Sequence, residues 1–231
     1  MTSKSYRAVF FDAGGTLFKP HPSVGEIYAR VARPHGMTVD AEKLEKRFRE
    51  EFSKRDKHVS LKAHSSEKNE REWWKNLVKD VFKEFTPLRN FDRFFDELYD
   101  LFARAKVWKL DSEAIPLLRK LRARKLVIGI VSNWDSRLFS ICEGMDVKKY
   151  FDFILASAVV GFAKPDVKIF EEALRLANAK PSEALHIGDS VENDFFGARH
   201  AGIDALLINR NGYPVDNVTS ICSLNDVTHY I

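Results

Sequence analysis

Five short apolar runs, each met by a turn former or a helical pattern, constrain this chain more than any other feature of it. Ala8-Val9-Phe10-Phe11 stops at Asp12-Ala13-Gly14-Gly15-Thr16. Leu126 to Val131 stops at Ser132-Asn133, and Ala184 to Ile187 stops at Gly188-Asp189. Phe153 to Ala156 and Ala205 to Ile208 have the same texture. Such runs, too short for helices and bounded by turn residues, read as buried strands. Helical patterns lie between them, near 112–124, 135–143, 166–178 and 191–200. Strand and helix in repetition imply a parallel sheet with right-handed crossovers. The expected fold class is α/β, with a Rossmann-like parallel-sheet core.

One stretch breaks the alternation. Between Pro20 and Lys106 no strand pattern is visible, and helices are expected near 23–33, 40–57, 67–85 and 91–105. Asp40, Ser66 and Asn90 suit the N-cap positions of the last three. Apolar residues recur at helical spacing, as in Trp74, Leu77, Val81 and again in Phe91, Phe94, Phe95, Leu98. The expectation is a four-helix insertion packed on its own aromatic core, rather than an aromatic cofactor box. The domains expected are a core of 1–19 and 107–231 and a helical cap of 20–106. The insertion leaves the first strand at its C-terminal end, where open parallel sheets bind ligands. Trp73 and Trp74 cannot both face inward, so one is available to meet substrate, partner or solvent.

Composition removes most other classes. At 45% hydrophobic and 30% charged, the 231 residues have the make-up of a globular protein, not a disordered or coiled-coil one. A formal charge of +4 with interleaved signs does not predict nucleic-acid binding. That excess sits wholly within residues 19–107, which hold 20 basic and 16 acidic side chains. Two cysteines, Cys142 and Cys222, argue against a disulfide scaffold and suit a reducing compartment. No apolar run approaches the roughly 18 residues of a membrane span, and the N-terminus lacks a signal core. The expectation is a soluble intracellular, cytoplasmic protein, monomeric or weakly dimeric, without membrane or nucleic-acid partners.

Four clusters of reactive residue types follow four of the expected strands. They are Asp12 with Thr16, Ser132 with Asn133, Lys164 before Pro165-Asp166, and Asp189 with Asn193 and Asp194. Singly each is weak, since an Asp before a glycine turn commonly forms the turn. Parallel strands, however, bring their C-terminal ends to one edge. A carboxylate there can attack phosphorus and form an aspartyl phosphate. That attack sets an anion against an anion, so it needs cations and donors. Lys164, Ser132 and the backbone of the Gly14-Gly15-Thr16 turn can supply them. Asp12, Asp189 and Asp194, the last as second ligand or orienter, form an all-oxygen set of the kind Mg²⁺ prefers.

Asp12-Ala-Gly-Gly-Thr16-Leu17, Ser132-Asn133, Lys164-Pro165 and Gly188-Asp189 with Asp194 occur in the order of the four motifs of the haloacid dehalogenase superfamily. The chain resembles that superfamily over nearly its whole length, and the helical insertion resembles its type-one cap. The resemblance implies Asp12 as nucleophile, Ser132 and Lys164 as phosphate binders and Asp189 as metal ligand. Thr16 and Asn133 join the expected substrate contacts. The Gly14 backbone carbonyl, normally a metal ligand, is retained. One departure matters. The superfamily's phosphatases usually carry a second Asp, a general acid and base, where this chain has Gly14. Such catalysis is worth ~10²–10⁴ in rate, and its loss is felt most with alkyl phosphates. On sequence alone, Gly14→Asp is expected to raise their turnover.

The missing Asp leaves other readings open. One is a catalytically impaired metal- or phosphate-binding protein. Another is a 2-haloacid dehalogenase, which also lacks that Asp but needs no metal and resembles Ser-x-Asn rather than Gly-Asp at its fourth motif. A cap-lysine Schiff base, as in phosphonoacetaldehyde hydrolases, finds no lysine in an apolar setting here. His58 and His64 lack a third zinc ligand, and His186 reads as a satisfied core histidine. The expected activity is hydrolysis of a small phosphorylated compound with Mg²⁺ as cofactor.

Overall fold

A computed structural model describes residues 5–59, 65–85 and 90–231. Six strands form one parallel sheet: β1 (Ala8–Phe11), β4 (Val127–Ser132), β5 (Phe153–Ala156), β6 (Ala184–Gly188), β7 (Asp204–Ile208) and β8 (Ser220–Ile221). Their spatial order is β5-β4-β1-β6-β7-β8. The fold is α/β. β1 lies inside the sheet, bonded to β4 on one side and β6 on the other. Its four residues are all buried, which explains an unbroken apolar run in place of an alternating one.

The period of two still sorts the side chains. Val9 and Phe11 join one apolar cluster with Leu117, Leu121 and Ile141 from α5 (Ala114–Ala123) and α6 (Arg137–Gly144). Ala8 and Phe10 join the other, with Ile169, Phe170 and Ala173 from α8 (Val167–Ala177). Helices therefore cover both faces, and the strand ends meet at an edge. A short α7 (Ser157–Val160) follows β5, and α9 (Gly197–His200) precedes β7.

Two three-residue strands escaped the sequence pattern. β2 (Phe18–Pro20) and β3 (Trp108–Leu110) pair antiparallel, with Lys19 opposite Lys109. They carry the chain into and out of the helical segment. Between them stand α1 (Val24–Ala32), α2 (Ala41–Val59), α3 (Glu67–Phe82) and α4 (Phe91–Leu101). Each expected cap is present: Asp40 accepts from the Lys43 N–H at 2.9 Å, Ser66 from Asn69 at 3.2 Å and Asn90 from Arg93 at 3.3 Å. The four helices share a third apolar cluster containing Tyr28, Leu44, Leu77, Phe82, Phe94 and Leu98. The tail after Arg210 adds β8 and a 3₁₀ turn at Leu224–His229 where loop and a short helix are expected. Among the described residues, no helix is long and apolar enough to cross a membrane.

Candidate active site

The C-terminal edge of the sheet opens into a cleft of about 850 Å³ beneath the helical segment. Asp12 follows β1, and its N–H donates to Ile187 O at 2.8 Å, locking the residue to β6. Ser132 ends β4, and its hydroxyl donates to Asp12 Oδ1 at 2.8 Å. Lys164 arrives on the loop between α7 and α8. Its Nζ donates to Asp12 Oδ1 at 2.7 Å and to Asp194 Oδ1 at 2.5 Å. All four of these side chains are buried.

Local backbone geometry makes the approach possible. After β6 the chain enters a wide π-helical turn, Val191–Phe196, capped by Ser190 Oγ accepting from Asn193 N–H. The turn folds Asp194 back beneath Gly188. A Cβ on Gly188 would lie 2.0 Å from Asp194 Cγ, so no larger residue fits there. Gly15 has φ +79°, and its Cβ would meet Asp189 Oδ2 at 2.0 Å, so glycine is required twice over.

Electrostatics follow from burial. Desolvation pushes the Asp12 carboxyl up, opposed by Lys164. Burial also works against charge on Asp194, yet Lys164 and His186 outweigh it and hold Asp194 below the usual carboxylate range. Desolvation disfavours the Lys164 ammonium, but Asp12 and Asp194 more than offset this and keep it charged. Asp189 is open to solvent at its edge but deep among protein atoms. That burial, then Asp12 and Asp194, push it up to about 8.

Asp12, Asp189 and Asp194 each offer an oxygen, all within 4.8 Å of one another. Three carboxyl groups crowd one ammonium, and after burial their mutual repulsion helps to push Asp12 and Asp189 up. A divalent cation with hard oxygen preference fits both the charge and the donor set. Asp194 is the most committed of the three. Its Oδ1 accepts from Lys164 and faces His186 Nε2 at 2.9 Å, and its Oδ2 accepts from the Ser190 N–H at 3.0 Å.

The structure thus brings Asp12, Gly14, Ser132, Asn133, Lys164, Asp189 and Asp194 to one cleft. Thr16 departs from the expectation. Its hydroxyl is buried, the residue is not among those lining the cleft, and the hydroxyl has no hydrogen-bond partner among the described residues. Asn133 faces the cleft, but its amide clasps the Lys164 backbone, donating to O at 2.9 Å and accepting from N–H at 2.7 Å. His186 is buried as expected but not satisfied: Nε2 faces Asp194, and Nδ1 has no partner among the described residues. The His64 expectation and the His58 side chain lie outside the described residues.

Three participants went unread in the sequence. Trp134 packs against Trp108 and Phe18 and stands over Gly14. Arg210, just past β7, donates to Gly15 O, Thr16 O and Asp111 Oδ2, tying the glycine turn to the end of β3. Asp135 is fully buried, bonded to Arg137 at 2.7 Å and to the Tyr99 hydroxyl at 2.6 Å. Buried acids with sequence neighbours of opposite charge are the available signal for the last; the other two carry none.

A family model for haloacid dehalogenase-like hydrolases matches residues 6–202. The chain belongs to that family. Haloacid dehalogenase-like hydrolase domain-containing protein 3 of Mus musculus is 34% identical over 210 residues, covering 87% of this chain and 81% of its own. Two solved structures share the fold across 97% of both chains. They are a HAD phosphatase from Thermococcus onnurineus, with TM-score 0.69 and 24% identity, and a 2-haloacid dehalogenase from Pseudomonas syringae pv. Tomato, with TM-score 0.65 and 24% identity. The family fold thus hosts both chemistries, and the site has to decide between them.

Proposed function

We propose that this hydrolase is a Mg²⁺-dependent phosphatase of a small phosphorylated compound, acting through an aspartyl phosphate on Asp12. The observation that carries the reading is the convergence of Ser132 and Lys164 on one oxygen of Asp12, beside the Asp189 and Asp194 carboxylates. Both bonds fall on Oδ1, which leaves Oδ2 as the attacking atom. Lys164 favours the ionised, nucleophilic form of Asp12. Ser132 and Lys164 also offer donors to phosphoryl oxygens as the new bond forms. Asn133 fixes the loop that presents Lys164. Mg²⁺, held by Asp12, Asp189, the Gly14 carbonyl and Asp194 as ligand or orienter, supplies the positive charge that lets a phosphate dianion approach a carboxylate. Residues 20–106 serve as the cap over a core of 1–19 and 107–231, excluding water on closure.

A 2-haloacid dehalogenase also lacks the second Asp, and the apolar cleft wall suits a carbon substrate. It has no use for a cluster of three carboxyl groups at the nucleophile, and that cluster favours the metal-dependent reading. The test is phosphate release from phosphate esters and acetyl phosphate, with and without Mg²⁺, against Asp12→Asn. Mg²⁺-stimulated release that Asp12→Asn abolishes is expected. Metal-free halide release from 2-chloropropionate, with no phosphate release, would assign the dehalogenase instead. Neither activity, with phosphate and Mg²⁺ still bound, would make this a binding protein.

A further inference from the structure

The wall above Asp12 carries information that the phosphate-handling residues do not. Phe48 and Phe52 of α2, Trp74 of α3, Trp108 of β3 and Trp134 line the cleft. A second, apolar pocket of about 60 Å³ shares Phe48, Trp74, Trp108 and Trp134 with it and runs in among the helices toward Tyr28 and Leu98. The two tryptophans of α3 are a perpendicular pair at 4.8 Å, and Trp74 is the one that reaches the cleft. Three polar side chains of the cleft lining are already engaged. Arg49 donates to Glu45 at 2.9 Å, Glu45 also accepts from the Gly25 N–H at 2.9 Å, and Glu26 caps at Ser23.

The same wall fills the place of the missing acid. A Cβ on Gly14 would lie 2.9 Å from Trp134 Cζ3. Where a leaving group would meet a general acid, it meets the edge of an indole.

Resting on the phosphatase reading, we propose that the substrate is an aryl phosphate, its ring lying between Trp134 and Trp74 and its phosphoryl group on Asp12. Apolar area gained against such walls lowers the free energy of binding. A phenol ionises near pH 10, as tyrosine does, so an aryl oxide departs without a donated proton far more readily than an alkoxide. Asp12 Oδ2 bonds to phosphorus as the phosphorus–aryl oxygen bond breaks, and the electron pair leaves on the aryl oxide, which takes a proton from water. Water then attacks phosphorus, the Asp12–phosphorus link breaks, one proton passes to solvent, and phosphate departs.

The test compares 1-naphthyl, phenyl, glycerol and acetyl phosphates in kcat/KM on the intact protein with Mg²⁺. Naphthol and phenol ionise at similar pH, so naphthyl over phenyl reports the pocket and not the leaving group. The expected order is naphthyl above phenyl, both far above glycerol phosphate. Trp74→Ala is expected to lower the ratio of naphthyl to acetyl phosphate kcat/KM about tenfold, and an unchanged ratio would overturn the aryl assignment. Asp12-dependent turnover of acetyl phosphate with glycerol phosphate matching the aryl esters would overturn the aryl assignment and leave the phosphatase standing. Absence of Asp12-dependent release from every ester would remove both.

Discussion

Lys164 is the residue on which the charge balance of the site turns. One buried ammonium sits between two buried carboxylates. Breaking a buried pair by deleting one partner costs about 3–5 kcal/mol, because the other charge remains desolvated and alone. Lys164→Met, similar in length, is expected to lose about that much stability at neutral pH. The loss should shrink in mild acid, as Asp12 and Asp194 take up protons. Urea denaturation at two pH values measures both, and an unchanged midpoint would contradict the account. Gly14 is the second decisive residue. The sequence suggests that Gly14→Asp restores a general acid, but Trp134 occupies the room its Cβ needs. The single variant is therefore expected to gain nothing with glycerol phosphate, while Gly14→Asp with Trp134→Ala gains about tenfold, a fraction of what an acid supplies. Steady-state kinetics of the two variants decide the matter. Asp12, Ser132, Lys164 and Asp189 were legible because strand ends and motif spacing announce them. The burial of Thr16 and the place of Trp134 were not, because both depend on how a five-residue turn folds back on itself.

At the scale of elements, the loop from β4 to α6 is where core and helical segment interlock. The Ser136 N–H donates to Glu67 of α3, and Asp135 binds Tyr99 of α4. The Arg137 guanidinium lies 3.5 Å from the centre of the Tyr99 ring. Glu70 of α3 faces this junction. Burial first, then Asp135, push its carboxyl from 4.5 up to about 7, with Arg137 opposing. The folded protein thus holds a proton between those values that the unfolded chain releases. Stability contributed by this group falls as pH rises through that window and is level above it. The full shift would be worth about 3 kcal/mol, and partial exposure leaves about 1–2 kcal/mol. Glu70→Gln is expected to flatten that part of the stability profile, raising stability near pH 8 and not near pH 5; an unaltered slope would contradict it. Five of the six strands of the core sheet were legible because each is a continuous apolar run, whereas the two-residue β8 was not. β2 and β3 were not: three residues such as Phe18-Lys19-Pro20 carry no period, and only their pairing defines them.

For the whole molecule, the +4 excess confined to residues 19–107 acquires a setting. Some of those cations are tied to neighbouring acids, as in Arg47 with Glu50 and Glu84, Arg71 with Asp96 and Lys75 with Asp92. Lys19, at the ribbon, lines the cleft itself. Any steering of the proposed phosphorylated substrate is expected to be screened by salt. Around the cleft stand an aromatic wall, a buried ammonium and three acidic side chains at one edge of the sheet. Asp12 is the proposed acceptor of the phosphoryl group. Rapid acid quench during turnover of phenyl phosphate with Mg²⁺, followed by mass spectrometry of the peptide holding Asp12, tests it directly. One phosphoryl group is expected on Asp12 in the native protein and none in Asp12→Asn. Phosphate release at full rate with Asp12 never modified would contradict it.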